Sequence, residues 1–330
     1  MTYLNVNTIS SKTPDRRGYC QEAWLAQRTP IAHEPVMVQE MLQAIKPHSG
    51  GVYLDGTLGA GGYSEAILLE SGPCGKVIGI DLDTQAVLGA ASRLSKFRER
   101  FKALHGGFQH IAEIFEKQGV AALDGAVLDL GISSEQLDSP ERGFSFRFDG
   151  PLDMRFDTSS GETALAYLGH ISVDRLEEIL ATYGEERYYK KLARGIHHES
   201  RRGNLSTTGD LVRVVTRLLG RRRGKIHPAT RTFQALRIAV NGEMENLKAG
   251  LDQIPESLGP GARLCVVSYH SLEDRQVKLS FRERGKIREK WKILTPKPLK
   301  PTADEVRLNS RARSASMRVL ECLGGQIQGP

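Results

Sequence analysis

Three acidic residues each close an apolar run in the first 130 residues of the chain. Asp55 follows Val52-Tyr53-Leu54, Asp81 follows Val77-Ile78-Gly79-Ile80, and Asp129 follows Ala126-Val127-Leu128. A glycine-rich turn, Gly56-Thr57-Leu58-Gly59-Ala60-Gly61-Gly62, comes directly after the first. Glycines without a Cβ let backbone approach a ligand closely. An acid ending the second strand can accept hydrogen bonds from both hydroxyls of a ribose. The layout describes a nucleoside-cofactor pocket at the carboxyl end of a parallel sheet.

The glycine spacing departs from G-x-G-x-x-G, the pattern that sets a helix N-terminus against a pyrophosphate. S-adenosylmethionine has no phosphate and carries a cationic methionine end. A carboxylate such as Asp55 facing that end suits it and suits a pyrophosphate poorly. The methyl donor is therefore favoured over a nicotinamide dinucleotide. A structural glycine turn with no ligand is the remaining alternative.

Further polar and aromatic residues cluster downstream. Ser133 and Gln136 follow Asp129. Arg142-Gly143-Phe144-Ser145-Phe146 and Gly150-Pro151-Leu152-Asp153-Met154-Arg155 come next, then Ser268-Tyr269-His270-Ser271-Leu272-Glu273-Asp274-Arg275. The last block starts at the carboxyl end of a strand, where open α/β sheets bind ligands. It also reads as a helix start, with Ser271 as N-cap and Asp274 at N3. His227–Gln234, which includes Arg231, puts His and Arg at a helix entry suited to phosphate or carboxylate; a packing role fits equally. No G-x-S-x-G elbow is present, which disfavours a serine hydrolase.

These residues need positioning elements. Strands are expected at Val52–Thr57, Val77–Asp81, Phe101–His105 and Ala126–Leu130. Helices are expected at Val36–Ile45, Ser64–Leu69, Thr84–Ser95 and Ile111–Gln118, so the first half alternates as a parallel α/β domain. Alternation then stops, and amphipathic stretches follow at Val173–Tyr183, Glu186–His197 and Thr208–Leu219, the last started by Thr207-Thr208-Gly209-Asp210. One long helix, Thr232 to about Ile254, precedes strands at Ala262–Tyr269 and Ser316–Cys322. Residues 139–228 are expected as an all-helical insertion, 33–138 with 229–330 as the cofactor domain, and 1–32 as a flexible extension.

The chain has 330 residues and a formal charge of +7. His170–Arg231 holds 14 Lys/Arg against 7 Asp/Glu, and Phe281–Arg318 holds 12 against 4, so the remainder is net acidic. That segregation points to a polyanionic partner, with a solvated basic surface as the plainer alternative. The four cysteines lie far apart without C-x-x-C, which indicates neither a zinc site nor a disulfide framework; no metal is expected. No apolar run reaches the roughly 20 residues of a membrane span, and the N-terminus has no signal-peptide core. A cytoplasmic protein is expected.

Tyr53–Thr57, Gly61-Gly62, Leu128–Gly131, Arg142–Phe146, Gly150–Arg155, Tyr183–Arg187, His227–Gln234, His270–Arg275 and Arg311–Ser314, taken in order, resemble the MraW/RsmH family from about His33 to Leu323. Its members are S-adenosylmethionine-dependent methyltransferases acting on cytosine N4 in small-subunit ribosomal RNA. The resemblance implies a class I, Rossmann-like methyltransferase fold with a doubly wound, mostly parallel sheet and an inserted helical domain. It places cofactor contacts on Gly61, Gly62, Tyr63, Asp81, Phe108, Asp129 and Gln136. Many members carry His where this chain has Tyr63. Free RNA and the assembled small subunit both stand as substrate, and monomer and homodimer both stand as assembly.

Cytosine N4 is a weak nucleophile, so the site must align it with the methyl group and accept its amino protons. Those acceptors are expected from Asp129 or Ser133 with Asp153 or His270. No Pro-Pro follows Asp129, so the Asp/Asn/Ser-Pro-Pro loop of many amino-methyltransferases does not carry over. Phe144, Phe146 or Tyr269 would stack on the extruded base. Arg155, Arg221, Arg222, Arg223, Lys225, Arg231 and Arg275 would contact the RNA. A nicotinamide oxidoreductase and a non-catalytic ribosome-assembly factor are the rival classes.

Overall fold

The computed structural model describes residues 35–220 and 227–324. The expected extension at 1–32 and the basic run Arg221, Arg222, Arg223 and Lys225 lie outside the described residues. The chain divides into two compact units, Met1–Gly131 with Leu247–Pro330, and Ile132–Asn246.

The first unit is a sheet in the order β3-β2-β1-β4-β5-β7-β6. The strands are β1 Val52–Asp55, β2 Lys76–Asp81, β3 Phe101–His105, β4 Leu123–Asp129, β5 Leu258–Ser268, β6 Trp291–Ile293 and β7 Ser316–Cys322. β1 to β5 run parallel, and β7 is antiparallel to both β5 and β6. The helices on this sheet are α1 Val38–Ile45, α2 Gly62–Glu70, α3 Thr84–Arg93 and α4 Ile111–Gln118. Chain order reverses between β1 and β4, so their carboxyl ends flank a crevice of the kind that binds ligands. Asp55 pairs with Val127 and Asp129 with Val267 in the parallel registers, which brings both acids to that end.

Burial holds the sheet together. Tyr53, Leu54, Ala126, Val127 and Leu128 are fully buried. Each large apolar side chain among them is worth about 1.5–3 kcal/mol on transfer from water. Met41, Ile45, Tyr63 and Ile67 pack with Val127, Val267 and Met317 in one apolar cluster. Cys265 is buried in that cluster as a free thiol, and burial pushes its pKa up to about 12.

The second unit is helical: α5 Ser134–Asp138, α6 Ala164–His170, α7 Val173–Thr182, α8 Tyr189–Arg201, α9 Thr208–Leu219 and α10 Thr230–Asn241. α7 buries Leu176, Ile179 and Leu180, a one-face spacing, and Ser172 caps its N-terminus by accepting from the Arg175 N–H. Thr207 and Asp210 form a reciprocal capping box at the start of α9, as the sequence suggests. This unit is wider at both ends than the expected 139–228. Ile132 packs against its core, and Ala229, Phe233, Ala235 and Leu236 join the core with Leu176 and Leu180.

Three local expectations differ. The long helix is two, α10 and α11 (Glu243–Gln253), separated by Gly242 in the left-handed region at φ 58°. β5 begins four residues earlier than expected, through Leu258-Gly259-Pro260-Gly261, because its first residue pairs with Leu123 across a bulge. β6 was not anticipated: a three-residue strand with a central lysine carries no periodic signal, and its register on β7 defines it.

Candidate active site

In the sheet unit, the glycine loop is built from inside by Asp55. Its carboxylate is fully buried and accepts from the Ser64 N–H at 3.1 Å, the Ser64 hydroxyl at 2.7 Å and the Thr57 N–H at 3.4 Å. Desolvation by burial raises its pKa to about 6, against the lowering effect of those donors. Asp55 therefore ties the end of β1 to the first turn of α2. The loop is braced from outside as well. Arg93 donates to the Ala60 carbonyl at 2.8 Å and, with Lys96, pairs with the fully buried Glu65 at 2.7 and 2.9 Å.

Gly61 sits at φ 77° as the residue before α2, a conformation that a side chain rarely adopts. At Gly62 a Cβ would lie 2.6 Å from Pro35, so the close approach of that segment requires glycine. Asp81 ends β2 and accepts from the Gly59 N–H at 2.7 Å and the Asp83 N–H at 2.9 Å. Its carboxylate stands at the strand end where the hydroxyls of a ribose would be met. Phe108 follows β3 and packs against Gly56 and Gly250, where Cβ atoms would stand 3.5 and 2.4 Å from its side chain. A glycine cradle, a strand-end acid and an aromatic on neighbouring loops fit a nucleoside cofactor.

Asp129 is the chemically distinctive group. Its N–H donates to Thr57 Oγ1 at 2.6 Å, which joins β4 to the loop. Its Oδ1 accepts from the Tyr269 hydroxyl at 2.8 Å. Desolvation raises its pKa to about 7; the Tyr269 hydrogen bond lowers it, and Asp55 and Glu273 raise it by repulsion. Tyr63 is buried, and its hydroxyl donates to the Val36 carbonyl. Burial first, then the Asp129 charge, holds the Tyr63 phenol neutral. The side chain of Tyr63, where the family resemblance leads one to expect His, is thus spent on the Val36 carbonyl.

Tyr269 bonds Asp129 through its hydroxyl, which anchors the carboxylate. The cap after β5 also differs from expectation. His270, not Ser271, is the N-cap of α12 (Ser271–Arg284), and Glu273, not Asp274, is its N3 partner. Glu273 Oε2 accepts from the Tyr269 N–H at 2.8 Å and the His270 N–H at 3.4 Å, and His270 Nδ1 accepts from the Glu273 N–H at 3.4 Å. His270 is thereby spent largely on the helix start. Asp274 instead forms a bidentate pair with Arg318 at 2.7 and 3.0 Å. Arg275 is exposed on the same helix.

The other expected residues belong to the helical unit. Ser133 and Gln136 cap α5 reciprocally, with Ser133 Oγ accepting from the Gln136 N–H and Gln136 Oε1 accepting from the Ser133 N–H, both at 3.1 Å. Asp153 is gripped by Arg155 at 2.8 Å through both oxygens. Burial alone would raise its pKa, but the Arg155 hydrogen bonds and charge hold it below the ordinary carboxylate value. Phe144 is buried and stacked on Phe156 at 5.4 Å. Phe146 is stacked on the exposed His227 at 4.6 Å. Arg231 donates to the Glu185 carbonyl at 2.9 Å, so it joins α10 to the turn before α8.

The structure thus gathers Asp55, Gly61, Gly62, Tyr63, Asp81, Phe108, Asp129, Tyr269 and His270 within the sheet unit. Ser133, Gln136, Phe144, Phe146, Asp153, Arg155 and Arg231 lie in the helical unit. Thr57 and Ser64 were not anticipated as site residues, and Glu273 was anticipated only as part of the polar loop after β5. Glu273 had a signal, since it stands three residues after a polar helix-start residue. Ser64 and Thr57 had only their nearness to the glycines.

A family model described as the MraW methylase family matches residues 30–323. The chain is similar to the ribosomal RNA small subunit methyltransferase H of Thermomicrobium roseum, 44% identical over 317 residues that cover 91% of this chain and 97% of the relative. It is 45% identical to the protein of that name from Trichlorobacter lovleyi, covering 88% and 98%. The protein of that name from Sorangium cellulosum is 48% identical, covering 89% and 91%.

Proposed function

The chain belongs to the MraW methylase family, and from that premise we propose that it transfers a methyl group from S-adenosylmethionine to the exocyclic N4 of a cytidine in small-subunit ribosomal RNA. The observation that carries the chemistry is Asp129. It is an acceptor at the switch-point end of β4, without a cationic partner among the described residues, with a pKa raised to about 7.

S-adenosylmethionine, when bound, supplies an electrophilic methyl group. The Gly59–Gly62 backbone and Asp81 hold its nucleoside part, and Phe108 packs at the base. Asp55 holds the loop rigid and is spent on it. Asp129 accepts a hydrogen bond from the amino group of the cytosine as that nitrogen turns its lone pair toward the methyl carbon. Tyr269 orients Asp129 and favours its ionised form near neutrality. The methylated amine is acidic enough to lose its extra proton to Asp129 or to water. Arg155 and Asp153 brace the loop that carries them, and Phe146 with His227 offers an aromatic face to a base. A ribosomal RNA substrate accords with a cytoplasmic location, and no described helix is long and apolar enough to cross a membrane.

The test is tritium transfer from labelled S-adenosylmethionine to small-subunit RNA, supplied free and as assembled subunits, with nucleosides mapped by mass. N4-methylcytidine that appears only with the protein is the expected product. Label in another nucleoside, or none, overturns the assignment.

A further inference from the structure

A cavity of about 320 Å³ opens in the sheet unit away from the glycine loop. Lys278, Phe281, Arg282, Ile293, Thr295, Pro296 and Arg318 line it, and none of these is a residue of the cofactor site. Its walls are apolar: Phe281 is fully buried, and Ile293 and Pro296 complete the floor. Thr295 Oγ1 is spent on the Val319 N–H at 2.8 Å, and Arg318 is spent on Asp274. The unspent polar groups are therefore Lys278 and Arg282. They stand four apart on one face of α12, both exposed and without an ion pair among the described residues. Like charges at that spacing repel, and no acid lines the cavity to offset them. Lys292 and Lys297, exposed on and just after β6, add positive charge to the same segment of chain.

We propose that this cavity is a nucleotide subsite for the RNA strand, in which Lys278 and Arg282 hold a phosphodiester and the Ile293–Pro296 floor, backed by Phe281, takes an unpaired base. The proposal rests on the RNA-methyltransferase reading and extends it to a contact remote from the reacting nucleotide. Two cations over an apolar floor match a flat base with a phosphate attached, and the volume falls in the range of small-ligand sites.

The test compares the full chain with Lys278→Ala/Arg282→Ala and with a charge-matched control, Lys76→Ala/Lys117→Ala. The probe is a single-stranded fragment of small-subunit ribosomal RNA. The cavity variant is expected to bind it about tenfold more weakly at 0.15 M salt, with the slope of log K against log salt reduced by about 0.7 for the one phosphodiester contact. The control keeps both values, and S-adenosylmethionine affinity and kcat at saturating RNA stay at wild-type levels in both. As a second measurement, 4-thiouridine RNA should photo-crosslink to the wild-type chain within residues 278–297. Unchanged RNA affinity and salt slope, with no crosslink there, overturn the proposal. So does loss of poly-glutamate binding in the cavity variant with RNA affinity unchanged, which would mark an acidic protein as the partner. The RNA affinity, salt slope and crosslink need no turnover, so failure of the methyltransferase reading registers separately, as absent methyl transfer by the wild-type chain.

Discussion

Asp129 and Asp153 are two partly buried carboxylates at the ends of apolar segments, and their surroundings push them in opposite directions. Asp129 meets the Tyr269 phenol and the charges of two other acids, and burial raises its pKa to about 7. Asp153 meets the Arg155 guanidinium through both oxygens, and its pKa falls. Desolvation acts on both; a fixed cation decides the sign. A carboxylate paired with arginine is a brace, whereas one held by neutral donors stays basic enough to accept a proton near neutral pH.

Replacing the basic carboxylate should have the largest effect. Asp129→Asn should lower single-turnover methyl transfer by about 10²-fold or more. Its effect on stability should run the other way. A carboxyl whose folded pKa is raised contributes stability that is complete below its unfolded pKa and lost as pH rises through its folded value. The variant should therefore melt higher than the wild type at pH 8, by roughly 2–4 °C, and lose the advantage toward pH 4. Loss of activity at pH 8 with a lower melting temperature would remove Asp129 from the acceptor role.

An intermediate effect is expected from the phenol. The rate should climb with pH through about 7 as Asp129 ionises. Tyr269→Phe removes a hydrogen bond that lowers that pKa, so the rising limb should move to higher pH and the rate at pH 7 should fall about three- to tenfold, recovering at pH 9. A limb that stays in place with a uniformly reduced rate would show that Tyr269 acts on something other than the charge of Asp129.

The smallest catalytic effect should come from the braced acid. Asp153→Asn should cost about 1–3 kcal/mol in stability, read by denaturant unfolding, while kcat stays within a few-fold. His270→Ala should cost about 1 kcal/mol as a lost cap, again with kcat nearly kept. A drop in kcat for Asp153→Asn as large as that for Asp129→Asn, in a folded protein, would erase the contrast between the two carboxylates.

Much of this site was legible in the chain because its signals are local. β1, β2 and β4 are apolar runs ended by acids, and Gly61 and Gly62 follow at once. The capping residues of α9 announced themselves as Thr207 and Asp210. The cap of α12 did not, because a histidine at that place is an unusual acceptor and a serine stands beside it. The Gly242 break was hidden in a helix-like run, since apolar spacing continues across it. β6 is too short to show a period at all.

The residue types at the strand ends, the order of the elements and the family follow from the sequence alone, because strand period, glycine spacing and motif order are properties of neighbours along the chain. Which acid is spent on the loop, which is braced and which stays basic was decided only by the tertiary structure. Desolvation and Coulomb interactions depend on what surrounds a group in space, and the hydroxyl that positions Asp129 belongs to Tyr269, 140 residues away in sequence.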